Sequence, residues 1–217
     1  MRAKGPVKLC MLSGSFEYDS ERTLGLFRDH LARRKDVETT PVVYRTEEDT
    51  PSLEPIDHCD VLLVFTRRLF TTGPELERFQ RYCARGVAIV SIRSASHAFQ
   101  NWLAFDKEVL GGSYDGHYGA GPECTVTIDP HDRSHPLVQG VANFVSTSHL
   151  YKNTPIAADA FLVMTGQAAG HTEPVTWTRI HKGGRASYTS LGNQKDFLNP
   201  SFLRLLENAV FWAAGRG

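Results

Sequence analysis

The chain has no apolar run approaching the roughly 18 residues that cross a bilayer as a helix, so a membrane span is not expected. It also has no basic tract. Its 24 Lys and Arg balance 24 Asp and Glu, and without an excess of cations to track phosphates, nucleic acid is a poor partner. The cysteines Cys10, Cys59, Cys83 and Cys124 show no CxxC spacing, and their scatter suits reduced core thiols better than a disulfide framework. Neither GxGxxG nor GxxxxGK(S/T) occurs, which removes the usual nucleotide-phosphate loops, and HExxH is missing as well. No metal and no cofactor is therefore expected. The opening MRAKGPVKLCMLSG lacks an apolar stretch of about seven residues before a small-residue cleavage site. A cytoplasmic location follows as the expectation, with a secreted or periplasmic protein shorn of its signal peptide as the alternative.

What is present suits one α/β domain over residues 1–217. With 217 residues, 41% of them hydrophobic, the chain can bury a sizeable core. VKLCML at Val7–Leu12 reads as a strand ending in Ser13-Gly14, and Ser20–Leu31 places Leu24, Phe27 and Leu31 on one helical face. VETTPVVY reads as an edge strand, because Pro41 cannot donate to a ladder. Asp60–Phe65 and Val87–Ile92 are near-continuous apolar runs, as strands buried on both faces are. Between them a helix starts near Pro74, carries Leu76, Phe79 and Tyr82/Cys83 inward, and stops at Gly86. Strand and helix alternating at this spacing predict βαβ units in a three-layer α/β domain with a largely parallel, doubly wound sheet. The second half is richer in short strands, at Cys124–Asp129, Phe161–Met164, Pro174–Trp177 and Arg185–Leu191. Gly183-Gly184 suggests a hairpin-like turn before the last of these, and a final helix spans about Ser201 to Ala213.

In an open parallel sheet, ligands bind beyond the carboxyl ends of the strands. Ser13-Gly14, Arg67-Arg68 and Arg93–His97 each follow a predicted buried strand, so one crevice should collect them. The stretch VAIVSIRSASHAFQNW carries the sharpest signal, because a buried strand breaks into a cation, two hydroxyls and an imidazole. Arg93 could clamp a carboxylate, a phosphate or a row of sugar oxygens with its planar fork, or tie two loops together. Ser96 reads as a helix cap, and Ser94 with a histidine from elsewhere remains open as a nucleophile.

The ordered motifs VSIRSASHAFQNW, LGGSYDGHYG, SHPLVQGVANF, SHLYK, PVTW and GGRASYTSLGNQKDF, followed by NPSFLRLLENAVFWAAG, resemble the trehalose-utilisation, ThuA-like family from Val7 to Gly215. That resemblance implies a three-layer, flavodoxin-like (glutamine-amidotransferase-like) α/β fold and a link to disaccharide breakdown through 3-keto sugars. Many members read Gly-Ile-His-Ser-Ala where this chain has Ser91-Ile92-Arg93-Ser94-Ala95. Relatives of the fold that hydrolyse glutamine place a cysteine on this turn, and here none occupies it, so cysteine-based chemistry is not expected.

The resemblance singles out His97 and His117 as candidate acid and base, since each lies in a matching motif and an imidazole titrates near neutral pH. Arg93 would orient or polarise an oxygen. Ser13, Gly14, Arg67, Arg68 and Ser94 are the candidate binding residues of the strand ends, and Trp102, Tyr151 and Asn193 join them from matching motifs. His149 and His171 read as structural. The expected partner is a small saccharide or a derivative, and a homo-oligomer stays open. Two other readings stand beside this one: a non-catalytic sugar- or partner-binding protein on the same scaffold, and a metal-dependent hydrolase built on His97, His117 and a carboxylate.

Overall fold

β1 (Val7–Gly14) lies between β2 (Val37–Val43) and β3 (Val61–Thr66), parallel to both, and β4 (Ala88–Ile92) continues the parallel set beside β3. The computed structural model describes residues 5–119 and 123–216. Within them one nine-stranded sheet runs in the order β2-β1-β3-β4-β9-β8-β7-β5-β6. The added strands are β5 (Cys124–Ile128), β6 (Phe144–Ser146), β7 (Phe161–Ala168), β8 (His171–His181) and β9 (Gly184–Thr189).

The sheet is mixed, which corrects the expectation of a largely parallel one. β9 is parallel to β4, but every pairing beyond it is antiparallel. Two tight turns explain the reversal. Ala169-Gly170 joins β7 to β8 with φ of 50° and 80°, and Lys182-Gly183 joins β8 to β9 with φ of 49° and 87°. Two consecutive left-handed residues make the two-residue hairpin turn that matches strand twist, and a hairpin can only be antiparallel.

Side chains alternate across the strands and so separate two cores. Val7, Leu9 and Met11 of β1 and Val61, Leu63 and Phe65 of β3 face α1 (Ser20–Leu31) and α3 (Pro200–Ala213). Leu24, Phe27 and Leu31 of α1 meet them there, as their spacing predicts. On the other face Cys10, Leu12, Leu62, Val64 and Ile89 pack against α2 (Gly73–Ala84) and the irregular segment 98–110. The result is three layers. Trp102 belongs to the second core: Phe79 holds it at 5.9 Å and Phe105 at 5.5 Å, centroid to centroid. Its ring packs there while staying partly exposed, and it does not line the cavity described below. The four cysteines are free thiols, with Cys10 inside β1 and Cys83 inside α2.

Candidate functional site

The strand ends named from sequence do meet. Arg67 N donates to Gly14 O at 3.1 Å, Arg68 N donates to His97 O at 2.8 Å, and the hydroxyls of Ser15 and Ser94 lie 2.7 Å apart. The loops after β1, β3 and β4 therefore lock into one surface at the carboxyl end of the parallel strands.

Arg93 occupies the tightest point of that surface. Its φ is 47°, a left-handed conformation that L side chains rarely adopt, and the side chain turns inward. Only 1% exposed, its Nη1 donates to Ser190 O at 2.7 Å and to His149 O at 3.4 Å. The guanidinium lies 4.6 Å from the ring of Tyr18 and 4.5 Å from that of Tyr151, between two π faces that offset part of its lost hydration. Tyr188 donates its hydroxyl to Arg93 O at 2.7 Å, pinning the strained backbone from below. Of its two readings from sequence, the contacts of Arg93 are those of a tie between loops: the cation sits under the surface, because the left-handed turn directs it toward carbonyls and rings.

Beside this buried cation opens a cavity of about 680 Å³, lined among others by Glu47, Arg68, His97, Gln100, Asp106 and Tyr114. His97 is 8% exposed and stacks on Tyr114 with centroids 4.6 Å apart. Burial first, and then the charges of Arg67, Arg68 and Arg93, push its pKa down to about 3, so the ring is neutral across the physiological range. Its Nδ1 lies 3.0 Å from Ser96 Oγ, whose own proton reaches Arg93 O at 3.4 Å. Either ring tautomer of His97 satisfies this contact.

Asp106 faces the same cavity from a single π-helical turn, Asp106–Leu110, a form often met at functional sites. It is 7% exposed. Tyr114 N donates to Oδ2 at 2.9 Å, while among the described residues Oδ1 has no hydrogen-bond partner. Burial pushes its pKa up to about 6, with the Tyr114 N–H pulling back. Gly112 N donates to Asp106 O, and a Cβ on Gly112 would collide with the carboxylate. That close approach accounts for a glycine here.

Of the residues singled out from sequence, Arg68 and His97 line the cavity. The others sit elsewhere. Ser13 bonds Ser20 at 2.9 Å, and Ser94 bonds Ser15. Arg67 pairs with Glu17 at 3.1 Å. Tyr151 is buried between Arg93 and Tyr114, and Asn193 donates through Nδ2 to Thr147 O at 3.3 Å. His117 is exposed, its ring 5.3 Å from that of His149, apart from His97 and outside the cavity lining. Among the described residues no three His, Cys, Asp or Glu side chains converge as a metal site.

Residues 12–213 match the model of the ThuA family, described as trehalose utilisation. The chain belongs to the ThuA family. No curated protein matches it by sequence. Among solved structures it resembles a ThuA-like protein of Bacteroides uniformis, with a TM-score of 0.75 and 19% identity over 98% of this chain and 94% of that one. A ThuA-like protein of Parabacteroides merdae gives a TM-score of 0.72 and 16% identity over 96% and 90%. A cytoplasmic protein of Salmonella typhimurium gives 0.66 and 17% over 95% and 99%. Identities this low speak for the shared fold alone. Among the described residues of this ThuA-family chain no helix is long and apolar enough to cross a membrane.

Sequence reasoning passed over Asp106, Glu47, Gln100 and Tyr114. Asp106 did leave a trace, since in LAFDKEVLGG it interrupts the apolar set Phe105, Val109 and Leu110 just ahead of two glycines. A carboxylate inside an apolar stripe is a candidate for a shifted pKa.

Proposed function

We propose that the protein serves carbohydrate use by binding a saccharide, or its oxidised derivative, in the cavity between the loops after β2, β3 and β4, with Asp106 exchanging a proton with it and neutral His97 hydrogen-bonding it. One observation carries this reading: a buried neutral imidazole and a buried carboxyl of raised pKa line the same cavity. Asp106, part-protonated near pH 6, gives and takes the proton, and the neutral ring of His97, too weakly basic to hold one, hydrogen-bonds the substrate beside it. Sequence reasoning had paired His97 with His117 instead. A carboxyl that titrates near the working pH suits acid–base work on a hydroxyl or a hydrated ketone. Arg93 acts from beneath as a positioning residue, holding the turn that carries His97 and adding positive potential around it. The family's description, trehalose utilisation, makes a disaccharide or its 3-keto form the first substrate to try, and no cysteine is required.

Calorimetric titration of trehalose and 3-keto-trehalose into wild type, His97→Gln and Asp106→Asn tests the reading, with product formation followed in parallel. The expected result is binding that weakens about ten-fold or more, roughly 1.4 kcal/mol, in either variant. Turnover should fall above about pH 6 as Asp106 loses its proton. Saturable binding without product would favour a sugar-binding protein on this scaffold. Binding indifferent to both substitutions would remove the site.

A further inference from the structure

The charges around the cavity are uneven. Arg68 and Lys107, both exposed, line it, and among the described residues neither forms an ion pair. Arg93 lies beneath with carbonyls and rings as partners and, among the described residues, no carboxylate. Arg67 has Glu17 to balance it. Against these cations the lining carries Glu47 and the partly protonated Asp106. Every charge that depresses His97 is a guanidinium. Arg68 and Lys107 thus stand at the cavity wall without a counter-charge bonded to them, and a neutral disaccharide would leave them so.

Arg68 is also held in place at a cost. Its φ is 51°, a strained value for a long side chain, kept there because Arg68 N donates to His97 O and Leu69 N to Ala98 O at 2.9 Å. An outlier stabilised by its neighbours beside a cavity points to function. The turn fixes the root of an unpaired fork on the wall that carries His97.

We propose that the cavity takes a sugar acid, an aldonic or uronic acid or a saccharide containing one, with its carboxylate on the Arg68 fork and its hydroxyls toward Glu47 and Gln100. This rests on the cavity being the saccharide site, as proposed above. A carboxylate suits the site better than a phosphate. A planar guanidinium matches a carboxylate with two parallel hydrogen bonds, whereas a phosphate dianion would meet Glu47 with only exposed side chains to hold it.

Glucose, trehalose, glucuronate, gluconate, glucose 6-phosphate and acetate are titrated into the full chain at low and at high salt. Glucuronate or gluconate should bind at least ten-fold more tightly than glucose, and the gap should narrow as salt screens the pair. Arg68→Asn removes the fork while keeping a residue that tolerates left-handed backbone. This variant should melt with the wild type and lose the preference for acids over glucose. Lys107→Gln should reduce the preference by a smaller factor. Trehalose binding as tightly as the acids, still sensitive to His97→Gln, would overturn the sugar-acid inference and leave the saccharide site standing. Tightest binding by glucose 6-phosphate would overturn the choice of carboxylate. Acetate matching glucuronate would reduce the site to simple anion binding. No affinity for any of the sugars would remove the inference and the site together.

Discussion

Asp106 and His97 titrate in opposite senses, and their effects on stability should cancel in the wild type. Asp106 is raised from 3.8 to about 6, so the folded state keeps its proton longer than the unfolded chain does. Its contribution is complete below about pH 4 and is lost as pH rises through 6. His97 is lowered from 6.5 to about 3, so its contribution is complete above about pH 6.5 and is lost as pH falls toward 3. Between about pH 4 and 6 the two slopes, each about 1.4 kcal/mol per pH unit, oppose one another. Relative to wild type, Asp106→Asn should gain stability with rising pH in this window and His97→Gln should lose it. Urea denaturation at pH 4, 5 and 6 reads both, and parallel curves for all three proteins would show that neither group is shifted. Arg93 gives a separate test. Arg93→Met strands the carbonyls of Ser190 and His149 and removes the cation from between Tyr18 and Tyr151. A loss of about 2 kcal/mol is expected, and an unchanged melting temperature would mean that the buried cation contributes nothing net. Residues of this kind are only half legible in a sequence. That a cation follows β4 can be read from the chain, but the sign of its φ, and with it whether the guanidinium meets water or carbonyls, is decided by Tyr188, Tyr18 and Tyr151 arriving from distant segments. Asp106 looks like one more solvated acid until Gly112 and Tyr114 close over it.

Elements fare better, because their signals are local. α1 and α2 follow from apolar spacing, Pro74 near the start of α2 and Gly86 after its end. β3 and β4 follow from unbroken apolar runs that prove buried throughout. β6 has three residues, with Val145 half exposed, too short for any period to show. β7 and β8 extend past the segments expected of them because polar residues such as Gln167 and Thr172 still pair along the ladder. A contact between elements supplies another test. Gly184, at the start of β9, lies against the backbone of Gly86, just past α2, so closely that an added Cβ would overlap the Gly86 carbonyl. Two backbones cannot yield as a flexible side chain can. Gly184→Ala should therefore cost about 1–3 kcal/mol by forcing the hairpin away from the helix end, measured as a lower denaturation midpoint. A midpoint equal to wild type would mean that the hairpin shifts freely.

At the scale of the molecule, a parallel half carries the loops that build the cavity, and an antiparallel half is folded by hairpins. The first half is legible because every parallel crossover needs a long connection, and the chain shows them. The second half depends on two-residue turns, one of which contains no paired glycine to announce it. The two margins of the sheet have a consequence for how copies of the chain can meet. Along β2, Tyr44 N donates inward to Ser13 O, so alternation turns the backbone of Pro41 outward, and there the free edge lacks an amide hydrogen in mid-strand. The opposite margin is the three-residue β6. Neither side offers a long row of unmet donors and acceptors on which a further strand could grow, which guards a nine-stranded sheet against polymerising edge to edge. Growth of the sheet from one copy of the chain into the next is the mode of assembly that these two margins disfavour.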